Sequence, residues 1–138
     1  MNIDSIQNGV VIDHITQGKC LELYELLKLN EIDYPIALIK NAESKKMGRK
    51  DIIKIDADIE VNLDVIGYVE PGATLNFIKD GVLVEKKQME LPKRLVDVIK
   101  CKNPRCITST EQELPHIFNL EDGKERIYRC AYCETKAK

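Results

Sequence analysis

The 138-residue chain has no Trp and only seven aromatic side chains, five Tyr and two Phe. A core must therefore be assembled from Ile, Val and Leu, branched residues that suit pleated strands. No uncharged apolar run approaches the ~20 residues that a membrane-spanning helix needs. The N-terminus lacks the apolar stretch of a secretory signal. The expectation is a chain of the cytoplasm with no membrane partner. Neither a G-x-G-x-x-G nor a G-x-x-x-x-G-K-[ST] phosphate loop occurs. Positive charge is also short: residues 1–99 carry 13 basic against 17 acidic groups, and residues 100–138 carry 8 against 6. Neither part is basic enough for a nucleic-acid surface.

What the chain does have is a pair of cysteine pairs. Cys101 and Cys106 stand in CKNPRC, Cys130 and Cys133 in CAYC, with 23 residues between the pairs. Five cysteines is an odd number, unlike the even count of a secreted disulfide framework. Two close pairs in a reducing compartment make a tetrahedral four-thiolate site, with zinc the usual occupant and iron the rival on ligand grounds. A closed shell leaves no position for water or substrate, so one structural Zn²⁺ per chain is expected. Its loss should unfold the module of about 40 residues around it. His116 is available as a ligand, but four thiolates already complete the tetrahedron. Lys100, Lys102, Arg105 and Arg129 flank the ligands and offset their charge. The fifth cysteine, Cys20, lies in a helical pattern and reads as a small core residue.

Hydrophobic periodicity organises the rest. Residues 9–15 (GVVIDHI) read as a strand. In 18–29, Cys20, Leu23, Tyr24 and Leu27 make one helical stripe. Residues 34–40 read as a strand, 41–49 as a polar loop and 51–56 (DIIKID) as a strand. Residues 60–68 are a weaker short helix. Residues 74–78 and 82–86 flank Lys79-Asp80-Gly81 and form a hairpin. The order β-α-β-β-α-β with an added strand is the split β-α-β pattern. The expected class is α+β: a ferredoxin-like antiparallel sheet domain with two helices on one face, residues 1–92, followed by a small all-β zinc-binding domain, residues 93–138.

Strand alternation puts Ile53 and Ile55 on one face and Lys54 on the other, with Asn76 free to share the Lys54 face. Lysines on such a face meet phosphates, and Asp13 or backbone groups read a sugar or base. A sheet with one wet face also carries Lys, Asp and Asn for solubility alone, and the pattern by itself favours that plainer reading. No nucleophile has a partner residue, so catalysis finds no support.

The strings VVIDHI, MGRKDIIKI, PGATLN and CKNPRC…CAYC, in this order and spacing, resemble the regulatory chain of aspartate carbamoyltransferase from about residue 3 to residue 134. The resemblance implies a non-catalytic chain with a nucleotide-binding allosteric domain and a zinc domain that docks on the catalytic chain. It implies self-association as a dimer, with three regulatory dimers bridging two catalytic trimers. CTP, sometimes with UTP, inhibits well-known members, and ATP activates them. By position, Asp13, Lys54 and Lys86 match the central nucleotide contacts, and His14 a position at the triphosphate. Lys50 matches a lysine near the phosphates, and Ile6 and Ile12 backbone and apolar positions around base and ribose. Asn76, Ile78 and Leu83 match positions on the last two strands of the domain. The four cysteines match the zinc ligands, and Asn103 and Tyr132 lie in loops facing the catalytic chain. Gly81 stands where the family has a Tyr beside the base, and Gln7 and Asn8 where it has a basic pair. The primary pocket thus carries over better than the second nucleotide site.

The expected function is that of the regulatory subunit in pyrimidine biosynthesis, binding CTP, UTP and ATP and shifting the holoenzyme between low- and high-activity states. The alternative is a zinc-stabilised assembly scaffold with weak or no nucleotide response. A nucleic-acid-binding zinc ribbon shares the CxxC end but requires a basic, aromatic-rich face that this chain lacks.

Overall fold

A computed structural model describes residues 6–137. The chain divides into two compact units, Met1–Glu90 and Leu91–Lys138.

In the first unit, strand β1 (Gly9–Thr16) leads to helix α1 (Cys20–Leu26), strands β2 (Ile36–Ser44) and β3 (Gly48–Ile55), helix α2 (Leu63–Val69), and strands β4 (Thr74–Lys79) and β5 (Val82–Gln88). The strands form one antiparallel sheet in the order β2-β3-β1-β4-β5. This is the split β-α-β order with β5 added at the β4 edge. Directly paired residues share a face, so Leu38, Ile53, Ile12 and Leu75 make one transverse row, and Ile55, Val10 and Phe77 the next. Ile12, Ile53, Ile55 and Leu75 are fully buried there, beneath Cys20 and Leu23 of α1 and Val65, Ile66 and Val69 of α2. Each such Ile or Leu contributes about 1.5–3 kcal/mol by burial. Gly9 is required at its place: a Cβ there would lie 2.1 Å from the Ile55 carbonyl oxygen.

Several elements differ from expectation. The polar loop of residues 41–49 is mostly strand. Asn41 (φ 64°) sits where the β2–β3 register shifts, after which Ala42, Glu43 and Ser44 pair with Lys50, Arg49 and Gly48. A solvated hairpin needs no apolar alternation, and Glu43 opposite Arg49 supports the pairing by charge. Helix α1 is shorter than 18–29, because Lys28 adopts a left-handed φ of 56° and a 3₁₀ turn, Leu29–Glu31, follows. Helix α2 begins at Leu63, not residue 60, because the Asn62 side chain caps it by accepting from the N–H groups of Asp64 and Val65.

The second unit has strands β6 (Arg94–Val96), β7 (Ile117–Asp122) and β8 (Ile127–Cys130) in one antiparallel sheet. It also has a single helical turn, α3 (Ile107–Thr110), beside that sheet. Leu95, Phe118 and Tyr128 form its small core. The Tyr128 hydroxyl donates to the Pro92 carbonyl, and Leu120 N–H to that of Lys93, so the segment entering this unit is tied to its sheet.

Candidate functional site

The face of the five-stranded sheet opposite the helices carries a second transverse row: Lys54, Val11, Asn76 and Lys86, one residue from each of β3, β1, β4 and β5. Alternation adds Asp13 beside Val11, Lys50 and Ile52 beside Lys54, and Ile78 beside Asn76. A register shift in β5 sets Leu83 opposite Ile78. Of the ten residues expected to meet a ligand, Asp13, Lys50, Lys54, Asn76, Ile78, Leu83 and Lys86 thus share one open face. Ile12 does not: its side chain is fully buried on the helix-covered face. Ile6 lies just before β1 and is nearly buried. The next two residues are sewn to the β4–β5 turn, with Gly81 N–H donating to the Gln7 carbonyl at 2.9 Å and Asp80 N–H to Asn8 Oδ1 at 3.2 Å.

His14 reaches this region through a bulge. The β1–β3 register shifts between Ile12 and Ile15, and His14 takes φ 59°. Asp13 fixes the bulge: its Oδ1 accepts from His14 N–H at 2.6 Å and pairs with Lys50 Nζ at 2.9 Å. Burial pushes the Asp13 carboxyl up, but the hydrogen bonds from Lys50 and His14 outweigh it and hold it below the ordinary carboxylate range. The His14 Nδ1 lies 3.2 Å from Thr74 Oγ1.

Two buried carboxylates brace this end of β1, and neither was visible as such in the sequence. Asp51 accepts from Gly18, Cys20 and Asn41 N–H, joining the start of α1 to β2. Glu70 accepts from Thr16 and Gly72 N–H, joining the end of β1 to the turn before β4. Val11, at the centre of the open row, was also missed, although its place two residues from Asp13 would have found it. With three lysines, an aspartate, an amide and an apolar floor of Val11, Ile78 and Leu83, the face suits an anionic ligand with a flat uncharged part.

In the second unit the four cysteine Sγ atoms lie within 4.8 Å of one another. Cys101–Cys133 and Cys106–Cys130 are 3.6 and 3.7 Å apart, far beyond a bonded S–S distance of about 2.05 Å. A tetrahedron with metal–sulfur bonds of about 2.3 Å has edges of about 3.8 Å, so the spacing fits Zn²⁺. The backbone makes this geometry. Asn103 Oδ1 accepts from Arg105 N–H, and its carbonyl accepts from Cys106 N–H and the Ser109 hydroxyl. Cys130 exchanges backbone bonds with Glu134 and Thr135. Burial pushes the Cys101 thiol up to about 12 and raises Cys130, while Thr135 draws Cys133 down to about 6. Bare, such a set resists becoming four thiolates; a divalent cation supplies the missing charge. His116 is not in the cluster, and its Nδ1 accepts from Cys101 N–H at 3.3 Å. Asn103 is half-buried within its turn. Tyr132 is 39% exposed, its hydroxyl donating to the Pro115 carbonyl.

The two units correspond to two known families. Residues 1–90 match "Aspartate carbamoyltransferase regulatory chain, allosteric domain", and residues 93–138 match "Aspartate carbamoyltransferase regulatory chain, metal binding domain". The chain belongs to the aspartate carbamoyltransferase regulatory chain family. It is 48% identical over 134 residues to the aspartate carbamoyltransferase regulatory chain of Clostridium botulinum (strain Hall), covering 97% of this chain and 92% of that one. Identity to the regulatory chain of Clostridium tetani is 46% over 135 residues, 97% and 94% of the two chains. To that of Bifidobacterium longum it is 46% over 138 residues, 100% and 99%. The domains of this regulatory chain family are non-catalytic, and the four-cysteine cluster is the candidate centre of its metal-binding domain. Among the described residues no helix is long and apolar enough to cross a membrane.

Proposed function

We propose that the chain is the regulatory subunit of aspartate carbamoyltransferase in pyrimidine biosynthesis and binds CTP, UTP and ATP on the open face of residues 1–90. The observation that carries this reading is the row Lys54–Val11–Asn76–Lys86, flanked by the Asp13–Lys50 pair. Lys50, Lys54, Lys86 and His14 hold the triphosphate. Ile78 and Leu83 floor the base. Competing nucleotides act on the holoenzyme only through unequal affinity for its low- and high-activity states. The second unit, residues 91–138, docks on the catalytic chain through the loops of Asn103 and Tyr132, which Zn²⁺ holds in shape. Two such chains pair as a dimer, and three dimers bridge two catalytic trimers.

Calorimetric titration of CTP, UTP and ATP into the full-length zinc-loaded chain tests the site. Saturable binding is expected, weakened by Lys54→Ala without loss of assembly with catalytic chains. No heat at millimolar nucleotide would leave the scaffold reading in its place. Assay of the mixed complex against aspartate, with each nucleotide in turn, then gives the sign of each effect.

A further inference from the structure

A chain of hydrogen bonds runs away from His14, and its direction can be deduced donor by donor. It starts at Gln88, the last residue of β5. The Gln88 Nε2 lies 3.3 Å from the Gly72 carbonyl and 3.1 Å from that of Ala73. Carbonyl oxygens only accept, so the amide nitrogen must be the atom facing them, and this fixes the amide orientation. The other amide atom, Oε1, then faces Thr74 Oγ1 at 3.3 Å. An amide oxygen only accepts, so the Thr74 hydroxyl spends its one proton on Gln88. Toward His14 Nδ1, at 3.2 Å, Thr74 can offer only a lone pair. A hydrogen bond between the two then requires the hydrogen to be on Nδ1.

We infer that Thr74 and Gln88 are positioning residues of the open face: they hold His14 as its Nδ1–H tautomer and leave Nε2 as the nitrogen available to a ligand. The network is well placed to enforce this. Thr74 is 3% exposed, and it pairs directly with both Asp13 of the bulge and Gln88. Gly72 and Ala73, which anchor Gln88, are themselves held: Gly72 N–H donates to Glu70, whose other oxygen takes Thr16 N–H, and Met89 N–H donates to the Ala73 carbonyl. The bulge, the turn before β4 and the end of β5 thus form one closed circuit around His14. With Nδ1–H turned to Thr74, Nε2 is the ring nitrogen that faces outward, and it donates to a triphosphate oxygen when the ring takes up a second proton. The consequence for nucleotides rests on the reading of the open face given above; the tautomer does not.

The test is ¹⁵N NMR of the histidine ring in the full-length, zinc-loaded chain, at a pH where His14 is neutral. His14 is expected to show a protonated Nδ1 and an unprotonated Nε2. Gln88→Leu removes the acceptor, frees the Thr74 hydroxyl to donate to Nδ1, and should move most of the population to Nε2–H. Gln88→Glu loses both bonds to the turn yet keeps an acceptor for Thr74, so the tautomer should hold. That contrast separates a tautomer effect from a loosened turn. An Nε2–H ring in the unmodified chain, or a ring indifferent to Gln88→Leu, would overturn the inference. The expected tautomer in a chain that binds no nucleotide would instead overturn the reading of the face and leave the positioning role intact.

Discussion

Asp51 shows how much one side chain can settle. Its carboxylate is fully buried, and three backbone N–H groups from two distant segments converge on it. Burial alone raises its pKa; those bonds, Asn41 first, reverse the sign and leave it below the ordinary value. Asp51→Ala should cost about 2–4 kcal/mol, since it strips buried donors of a charged acceptor, and urea denaturation would read the loss. The pH dependence has a definite sign. A carboxyl with a depressed folded pKa stabilises fully above its unfolded value of about 3.9 and loses that contribution as pH falls through the folded value. Asp13 and Asp51 both behave so. Stability should fall in acid below about pH 4, and less steeply in Asp51→Asn, which no longer titrates at that position. Lys54→Ala should weaken triphosphate binding at least about tenfold, the scale of one charge-assisted hydrogen bond. The shared face of Lys54 and Asn76 was legible, because alternation along DIIKID and TLNFI separates the faces. Asp51 was not, because an Asp in a strand reads as a solvated residue until its backbone donors are seen.

At the level of elements, sequence pattern worked where burial enforces a period and failed where it does not. Strands β1, β3 and β4 have a row of Ile, Val and Leu facing α1 and α2, and they lie where alternation puts them. The β2–β3 hairpin tip has no buried face, so its polar string concealed a paired strand. Helix α2 was displaced by three residues because its start depends on a cap rather than on the apolar stripe. Asn62→Ala should accordingly lower stability by about 1 kcal/mol, visible as a melting shift of several degrees in the first unit. The bulge at Asp13–His14 is the costliest feature to miss. A strand without it sends successive side chains to opposite faces and sets the two residues apart. With it, Asp13 anchors the backbone of His14 and both serve one end of the open face.

For the molecule as a whole, the two units rest on different physics. Residues 6–90 bury an aliphatic core between a sheet and two helices, whereas residues 91–137 have three large buried side chains and a metal site. Removing the metal with a strong chelator should therefore unfold the second unit and spare the first. In NMR spectra, amide dispersion from β6, β7 and β8 should collapse while that of β1 to β5 persists. Metal analysis of the intact chain should give one Zn²⁺ per chain. Survival of the β6–β8 signals after complete metal loss would show that the small core suffices alone. The cysteine spacing made this unit the more legible one, since the cluster of Cys101, Cys106, Cys130 and Cys133 lies where the paired motifs put it. The helical turn after Cys106 was not legible, since four residues are too few to show a period.

The separation of the two cysteine pairs also has a bearing on synthesis. Cys106 and Cys130 are neighbours in space but 24 positions apart in the chain. At about 5–20 residues per second on the ribosome, the first pair exists for roughly one to five seconds before the second is made. During that interval the sheet of residues 6–90 already has every strand it needs, while CKNPRC is only half a coordination shell. Every strand of the first unit is therefore translated before the second cysteine pair, and the complete coordination shell cannot form until Cys133 has been made.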